Sequence, residues 1–524
     1  MAGGLDRILW TSTGGSLVKD DIADSAPALP SAPARRGILE QRAIDYIPWS
    51  ERHGKVWHQG PFWFTSDFVL FTLAVGFTGP LAGLGLGWSA IAAILGSAVG
   101  TAFMAFHANQ GPRLGIPQMI QSRAQFGTRG VILALVAALF TYIGFNVFDQ
   151  PMATAGFQAV FGQGPIWPWY VGMVAVQAVI AVVGYDMIHR VQRWLTYALI
   201  VVFAVLTVGA VRVFGPEKVL TLGTFNTTAF FSQFTAAAGY MIGYAIYVSD
   251  YTRYLPADTR LGPLVLWTYV GSVLASAWLM PLGALFATQL KDGANVTSVM
   301  VAGNMVQPGL GAAVMLISCV ALVTVMAVNT YGAKLVALTA FDSFYPIRSS
   351  VRVRVIGTVG VSAAALALAL LLPERFQTIF SSFLTLILYF LVPWSAINLA
   401  DFYLVRRGDY AVLEIFSPNS IYGRWAWRGL LSYAIGFLCM VPFMSLPFYT
   451  GPVARALGGV DISMLFGLSA SGLVYYALAR NLDLSAEHRA QLHSFAVLEP
   501  GQQAMSHRRP DDGIAPLPGA ITTG

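Results

Sequence analysis

The sequence predicts an all-α integral membrane protein with twelve transmembrane helices. Of its 524 residues, 56% are hydrophobic and only 11% are charged, and the mean hydropathy is +0.63. A chain of this composition has too few polar side chains to cover a water-soluble surface. Crossing a hydrocarbon core of about 30 Å takes about 20 apolar residues in a helix. Stretches of that kind begin near positions 62, 88, 130, 168, 194, 228, 262, 309, 355, 377, 427 and 460. Their length and lack of alternating polarity exclude a β-barrel.

The two ends of the chain are predicted to be cytoplasmic tails. Residues 1–60 are polar and rich in alanine and proline, without the charged start and short apolar core of a signal peptide. Residues 483–524 contain few apolar side chains and are predicted to be disordered. With both termini inside, most loop arginines fall on the cytoplasmic side, as the positive-inside rule requires. These loops account for the formal net charge of +6, which therefore does not indicate nucleic-acid binding.

Two of the apolar stretches are interrupted by glycine. The first contains FTLAVGFTGPLAGLGLG at positions 71–87, and the sixth contains Gly239 and Gly243. Broken helices at matching positions of two five-helix halves are typical of transporters built from inverted repeats, with the binding site at the breaks. Spans one and six are five apart, as such a repeat requires. Glycines also let helices pack closely in lipid, so packing remains an alternative for each glycine taken alone.

Three segments next to the spans carry packed polar and charged residues. They read GIPQMIQSRAQFG (115–127), SDYTRYLP (249–256) and PWSAINLADFYLVRRGDY (393–410). Each alone is also consistent with a charged turn at the membrane interface. Together, in this order and spacing, they resemble the signature segments of the nucleobase:cation symporter-1 family, in its purine-cytosine permease branch. The resemblance covers roughly residues 40–480.

The resemblance implies a LeuT-type fold, in which five plus five inverted-repeat helices are followed by two extra helices. It places the twelve-helix domain at 61–482, with repeat one at about 61–215, repeat two at about 228–402 and the extra helices at about 427–480. It also implies alternating access and uptake of a flat heterocycle together with a cation.

The resemblance further implies a set of substrate-binding residues. Tyr142 stands at the place of the span-three aromatic that stacks on the heterocycle, and Asn146 follows one turn later on the same helix face. Tyr244, beside Gly243 at the break, stands where the branch usually has tryptophan, and Asn329 matches an amide of span eight. Aromatic faces contribute about 1–3 kcal/mol per stacked base, and carboxamides both donate and accept hydrogen bonds. The alternative is that these aromatics and amides only hold helices together.

Ion coupling is predicted from three further residues. Sodium-using relatives have two adjacent hydroxyls on span eight, whereas this chain has Val323 followed by Thr324. Asp67 lies near the break in span one, and Lys334 is an ionisable residue within span eight, where such groups are costly and often functional. An ion pair between Asp67 and Lys334 would replace the sodium ion and break on protonation, so a proton is slightly favoured over sodium. The alternative is that Lys334 extends to the interface and Asp67 caps a helix.

Three other charged residues lie near span ends. Asp250 and Arg253 are predicted to end span six at the cytoplasmic face, as part of an inner gate or a plain interface cluster. Asp149 is placed near the outer end of span three, as a gate or a solvated charge.

The predicted function is import of a nucleobase or related nitrogen heterocycle, such as cytosine, a purine, uracil, hydantoin, allantoin or a vitamin-like ring. The protein is expected in the cell membrane, with no cofactor, no firmly assigned metal and no obligatory protein partner. A ligand-sensing receptor on a transporter fold is the alternative. A channel lacks the rings of like charge of a filter, and an enzyme lacks support because no H-E-x-x-H motif occurs.

Overall fold

The computed structural model describes residues 44–183, 185–345, 347, 350–371, 376–417 and 419–500. Its structure is mostly helical. The first helices are α1 (Gln59–Asp67), α2 (Leu70–Val75), α3 (Thr78–Leu81), α4 (Leu86–His107), α5 (Gln110–Leu114), α6 (Gln118–Gln121), α7 (Arg123–Phe126), α8 (Ile132–Phe161) and α9 (Trp167–Val183). They are followed by α10 (Tyr185–Phe214), α11 (Pro216–Val219), α12 (Thr227–Gly243), α13 (Val248–Thr252), α14 (Leu261–Gln289), α15 (Ser298–Val306), α16 (Leu310–Asp342) and α17 (Val351–Leu370).

The last helices and the short elements complete the chain. The helices are α18 (Phe376–Ala400), α19 (Val412–Phe416), α20 (Trp427–Met440), α21 (Pro452–Ala456), α22 (Ser463–Ala479) and α23 (Ser485–Leu498). Short 3-10 turns occur at Trp49–Glu51, Val56–His58, Tyr244–Ile246 and Val441–Phe443, and a π-helical turn at Asp401–Val405. One antiparallel hairpin pairs β1 (Ser445–Leu446) with β2 (Tyr449–Thr450).

The prediction of an α-helical membrane protein is confirmed. Seven helices of the described residues are long and apolar enough to cross a membrane, and the bent pair Val56–Asp67 and Leu70–Leu81 would make an eighth. Three shorter apolar helices cover Trp167–Val183, Trp427–Phe443 and Ser463–Ala479. The count of twelve crossings stays a prediction.

Span one is broken, but not at its glycine run. The chain bends by 62° between Val56–Asp67 and Leu70–Leu81, and Val69 is extended (φ −135°, ψ 166°). The glycine run at 71–87 therefore does not mark the break, which directly follows Asp67, the residue predicted to lie near it. Gly76 serves close packing instead, because a Cβ there would lie 2.0 Å from the carbonyl oxygen of Met280 on α14.

Span six is broken at the predicted position. Asn226 caps the start of α12 by accepting a hydrogen bond from the Ala229 amide at 2.9 Å. The helix ends at Gly243, a 3-10 turn follows from Tyr244, and α13 resumes at Val248. A tight turn inside an otherwise helical span often marks a functional hinge.

The long helices pack in two groups on either side of these breaks. In one group, α4 packs against α12 and α14, and α14 packs against α1. In the other, α16 packs against α8, α9 and α17. The broken parts of spans one and six belong to the first group, while spans three and eight belong to the second. Side chains at this boundary can therefore change partners when one group moves against the other.

The three motif segments meet on one side of the helices, which we call the motif side. The Gln118 amide donates to Oδ1 of Asp250 at 2.8 Å, and Nε2 of Gln125 donates to Oδ2 of Asp401 at 2.5 Å. Gly115 ends α5 with φ +66°, a conformation suited to glycine. A Cβ there would also lie 2.1 Å from the Arg52 guanidinium.

The ends of the described chain fold onto the motif side. Arg52, from the segment predicted to be a tail, is buried and donates to the Pro112 carbonyl at 2.6 Å. The expected disorder after residue 483 is wrong for α23, because Glu487 is buried there and bonds to Arg406 at 2.8 Å. Glu499 accepts from the Tyr46 hydroxyl and the Trp49 amide at 2.9 and 2.7 Å. Residues 1–43 and 501–524 lie outside the described residues.

Candidate functional site

The breaks in spans one and six lie side by side in the buried interior. The Thr72 hydroxyl donates to the carbonyl oxygen of Asp67 and hydrogen-bonds the Tyr240 hydroxyl at 2.7 Å. The Tyr240 and Tyr244 hydroxyls lie 2.8 Å apart, and Tyr244 donates to the Ser66 carbonyl at 3.4 Å. Backbone groups freed by the breaks are thus satisfied by side chains, as buried irregular backbone requires.

A row of buried tyrosines runs through and beyond the break in span six. Its members are Tyr240, Tyr244, Tyr247, Tyr251 and Tyr254. The spacing of four and three residues places such side chains on one helical face, a signal that could have found the whole row although sequence reasoning chose only Tyr244. Phe145 of α8 faces three of them, with ring centroids 5.9 to 6.5 Å away.

The two predicted stacking residues both face this region but have different neighbours. The Tyr142 ring lies 4.3 Å from that of Tyr247, and its hydroxyl donates to the Ile246 carbonyl at 3.0 Å. The Tyr244 ring lies 6.0 Å from Phe145 and 6.1 Å from Trp63. A heterocycle held between Tyr142 and Tyr244 stays a prediction.

Gly243 lies where span six approaches Phe145. A Cβ on Gly243 would lie 3.1 Å from Cζ of Phe145 and 3.5 Å from Ile387. The absence of a side chain lets the phenyl ring reach the break.

Asn329 lies at the centre of a hydrogen-bonded chain across three helices. Its Oδ1 accepts from the Tyr247 hydroxyl at 2.5 Å, and its Nδ2 donates to Oδ2 of Asp149 at 3.3 Å. Asp149 is only 1% exposed. The expectation that Asp149 lies near the outer end of span three is therefore wrong: it is twelve residues before the end of α8 and beside the predicted substrate amide. Its spacing of seven residues from Tyr142, two helical turns, could have indicated this.

Asn146 is hydrogen-bonded between spans three, four and eight. Its Nδ2 donates to the Thr330 hydroxyl at 2.8 Å and lies 3.3 Å from Oε1 of Gln177. Thr330 also donates to Gln177 at 2.8 Å. This amide therefore joins spans three, four and eight, while Asn329 faces span six.

The residues predicted to couple an ion are not brought together. The Asp67 carboxylate is fully buried and accepts no hydrogen bond within the described residues, although the Ser272 and Tyr244 hydroxyls lie beside it. The Thr324 hydroxyl donates to its own helix at the Ala321 carbonyl, at 2.7 Å.

Lys334 lies away from Asp67, between α16 and α17. Its Nζ lies 4.2 Å from the centroid of the Tyr331 ring, and its stem packs against Gly357 of α17. No ion pair joins Asp67 to Lys334 in the described part of the chain. Lys334 is fully buried, so its charge does not reach an exposed interface as the alternative reading expected.

Asp250 and Arg253 tie span six to the motif side. Besides the Gln118 amide, Asp250 accepts from the Tyr142 hydroxyl at 3.5 Å. Arg253 is fully buried and donates to the Tyr331 hydroxyl at 3.2 Å and to the Asp45 carbonyl at 3.4 Å. These contacts connect both helix groups and the N-terminal segment. Among the described residues, no group of three His, Cys, Asp or Glu side chains could hold a metal ion.

Comparison with known protein families identifies the family to which this chain belongs. A family model for permeases of cytosine and purines, uracil, thiamine and allantoin matches residues 46–467. The chain belongs to the nucleobase:cation symporter-1 family. Membership confirms the family resemblance of the three motif segments, and it identifies a multi-pass membrane transporter rather than an enzyme.

Relatives of this nucleobase:cation symporter-1 member match over most of their length. YxlA of Bacillus subtilis, named as a candidate purine-cytosine permease, is 36% identical over 84% of this chain and 96% of its own. The purine-cytosine permease fcyB of Emericella nidulans is 25% identical over 84% of this chain and 88% of its own.

Solved structures confirm the fold. The family transporter Mhp1, in a closed conformation with bromovinylhydantoin bound, has a TM-score of 0.66 at 18% identity, covering 87% of this chain and all of that one. A sodium-coupled sialic acid symporter has a TM-score of 0.59 at 9% identity, covering 85% of this chain and 93% of that one. The predicted all-α, LeuT-type fold is confirmed by these likenesses.

Proposed function

We propose that this transporter imports a nucleobase or a related nitrogen heterocycle by cation symport with alternating access. The substrate class includes cytosine, purines, uracil, hydantoin, allantoin and vitamin-like rings, as the family description and the names of the relatives indicate. The observation that carries the proposal is the chain Tyr247–Asn329–Asp149 beside the break in span six. It sets donors and acceptors next to aromatic rings, which is what a flat, polar-edged heterocycle requires.

The substrate contacts follow from this placement. Tyr142, Gly243, Tyr244 and Asn329 surround the break, so an opened site would offer aromatic faces and one carboxamide. Asn146 acts on the site indirectly, because it holds Thr330 of α16, next to Asn329. Asp250 and Arg253 form the inner gate, because opening toward the motif side would have to separate span six from the Gln118 loop.

A proton is favoured over sodium as the coupling ion. Sodium is a hard cation that prefers several oxygen ligands. At span eight one of the two hydroxyls is replaced by Val323, so one oxygen ligand is missing there. Two carboxylates, Asp67 and Asp149, are buried instead, and buried ionisable groups inside a membrane frequently belong to proton relays. Lys334 then acts on coupling through span eight rather than by pairing with Asp67.

The transporter is placed in the cell membrane with both termini cytoplasmic, so the motif side faces the cytoplasm. Loop arginines support this orientation. Labelling of single cysteines on intact cells tests it. A cysteine at Glu217 should react with an impermeant maleimide from outside, and one at Asp409 should react only after permeabilisation; the reverse pattern would invert the topology.

The test of the function is uptake of radiolabelled heterocycles into proteoliposomes. Cytosine, adenine, hypoxanthine, uracil, hydantoin and allantoin are compared under an imposed proton gradient without sodium, and under a sodium gradient without a pH difference. Accumulation of one of them under protons alone is expected. Accumulation only with sodium would replace the proton in the proposal, and binding without accumulation would favour a ligand-sensing receptor.

A further inference from the structure

We propose that Asp149 is the carboxyl group that binds both the transported proton and the hydrogen-bonding edge of the heterocycle. The inference rests on the proposed function and assigns its substrate recognition and its proton coupling to one residue. It differs from the sequence-based expectation, which gave the proton to Asp67 and Lys334.

The position of Asp149 is that of a substrate ligand. It lies seventeen residues after the start of the thirty-residue helix α8 and twelve before its end, far from both membrane faces if α8 spans the bilayer. Its hydrogen-bonded partner Asn329 is in turn bonded to Tyr247 of the broken part of span six. Asp149 is therefore linked to span six, the helix proposed to move, through the single side chain of Asn329.

The carboxyl group keeps hydrogen-bonding capacity for a ligand. Its Oδ1 has no hydrogen-bond partner within the described residues, and Oδ2 accepts only the 3.3 Å bond from Asn329. A buried polar atom without a partner is costly. A second molecule that hydrogen-bonds there would remove that cost.

Within the described residues, no countercharge lies beside Asp149. The titratable groups that face it are Tyr240 and Tyr247 of the span-six segment. From α16 it meets the neutral amide of Asn329. No lysine, arginine or histidine of the described residues pairs with it. An uncharged, protonated carboxyl suits this environment, because a buried unpaired carboxylate is strongly disfavoured.

The same helix carries further unsatisfied polar atoms. Asn146, Gln150 and Thr154 follow at intervals of four, and each has a buried oxygen or nitrogen without a partner in the described residues. Side chains at this spacing share one helical face. Ordered water commonly satisfies such groups, and water bound on this face would give a proton a route toward the middle of the helix.

The chemistry couples the proton to the substrate. A protonated carboxyl offers one O–H donor and one carbonyl acceptor side by side. This pair matches an amidine edge, as in cytosine or adenine, and equally a lactam edge, as in uracil, hydantoin or hypoxanthine. An ionised carboxylate offers only acceptors, so it opposes the ring nitrogen or the carbonyl oxygen of the same edges. The heterocycle therefore binds the protonated form, and the proton leaves Asp149 for water when the substrate leaves.

Linkage gives the expected pH dependence and its sign. Because the substrate binds the form that carries the proton, affinity is highest at low pH. It falls by up to about tenfold per pH unit once Asp149 is ionised in the free protein. Bound substrate holds the proton more tightly by the same factor, since such coupling is reciprocal.

The decisive variant is Asp149→Asn, whose amide keeps one donor and one acceptor but cannot exchange a proton. Exchange of radiolabelled cytosine across proteoliposomes without any gradient, with hypoxanthine and uracil in parallel, is expected to lose the pH dependence of the wild type, because the amide has no proton to titrate. Accumulation driven by a proton gradient is expected to fall at least tenfold. Asp258→Asn, on an exposed loop, is the matched control. The gel-filtration profile and thermal unfolding midpoint show whether each variant is folded.

Four results would decide against the inference. Proton-driven accumulation by folded Asp149→Asn would show that Asp149 carries no coupling proton, and loss of that accumulation in Asp67→Asn alone would return the role to Asp67. Loss of cytosine, hypoxanthine and uracil exchange in folded Asp149→Asn would show that a neutral amide does not replace the protonated acid. If the wild type exchanges none of the heterocycles tested, the proposed function fails as well. That last result is distinguishable, because it is seen before any variant is made.

Discussion

The hydroxyl of Tyr247 donates a 2.5 Å hydrogen bond to Oδ1 of Asn329, and this bond joins the turn that interrupts span six to the middle of α16. The Nδ2 atom of the same amide donates a hydrogen bond to Asp149 on α8. One carboxamide thus connects the two helix groups, so its removal should disturb the site more than the overall fold.

Replacing Asn329 with alanine is expected to abolish uptake while the protein still reaches the membrane. The change leaves the Tyr247 hydroxyl buried without its acceptor, which costs about 1–3 kcal/mol, or about 5-fold to 150-fold in an equilibrium constant. Initial uptake rates of cytosine or hypoxanthine, normalised to membrane expression, measure the effect. Thr339→Ala, on the same helix with its hydroxyl bonded to the Leu335 carbonyl, serves as a comparison that removes a hydroxyl without breaking this chain. Uptake of Asn329→Ala within twofold of the wild type would exclude Asn329 from the site.

Replacing Tyr244 with tryptophan is expected to change substrate preference. The larger indole keeps an aromatic face but cannot form the 2.8 Å bond to the Tyr240 hydroxyl, and it reduces the space beside Phe145. Competition by a panel of pyrimidines, purines and hydantoins against one labelled substrate measures the preference. Tyr244→Phe separates the two effects, because it removes the hydroxyl at nearly constant ring size. If both variants keep the wild-type inhibition order, Tyr244 does not shape the pocket.

Replacing Asp250 with alanine is expected to loosen the motif side. The Gln118 amide loses its 2.8 Å acceptor, and a buried donor without a partner costs about 1–3 kcal/mol. Hydrogen–deuterium exchange of a peptide covering residues 115–127 should therefore speed up by about 5-fold to 150-fold. Asp258→Ala, on an exposed loop, should leave exchange unchanged. Equal protection in Asp250→Ala and the wild type would remove Asp250 from the proposed gate.

Replacing Glu487 with alanine is expected to destabilise the protein through its C-terminal helix. Glu487 accepts from Arg406 at 2.8 Å and from the Tyr422 hydroxyl at 2.7 Å. Asp401 remains as a partner of Arg406, so we expect the loss to be about 1–3 kcal/mol rather than that of an isolated buried charge. The thermal unfolding midpoint in detergent measures it, with Glu217→Ala on an exposed segment as control. No difference between the two variants would mean that α23 adds no stability.

The helices were predictable because hydrophobic stretches of span length leave few alternatives. The glycine run did not locate the break in span one, since glycines mark both broken and closely packed helices, and only the partner carbonyl of Met280 shows that Gly76 serves packing. The helix α23 was missed because its residues have little hydrophobic pattern, and it is held by polar contacts such as Glu487 with Arg406.

The positions of the candidate site residues were easier to predict than their contacts. Tyr244 lies at the break in span six as expected, but helical spacing assigns a face without telling which neighbouring helix that face meets. Asn146 therefore reaches Thr330 instead of the break, and Asp149 is buried beside Asn329 instead of lying near a membrane surface. Contacts of this kind depend on tertiary packing between residues far apart in the sequence.

Glu499 accepts hydrogen bonds from Tyr46 and Trp49, and the Asp45 carbonyl accepts one from Arg253. Both ends of the described chain are thus fastened to one another and to span six. A pair of fluorescent dyes, one near residue 50 and one on the loop before α20, would report opening of the motif side as a change in energy transfer. A dye pair on residues 50 and 500 would keep a constant separation and supply the reference signal for the same recording.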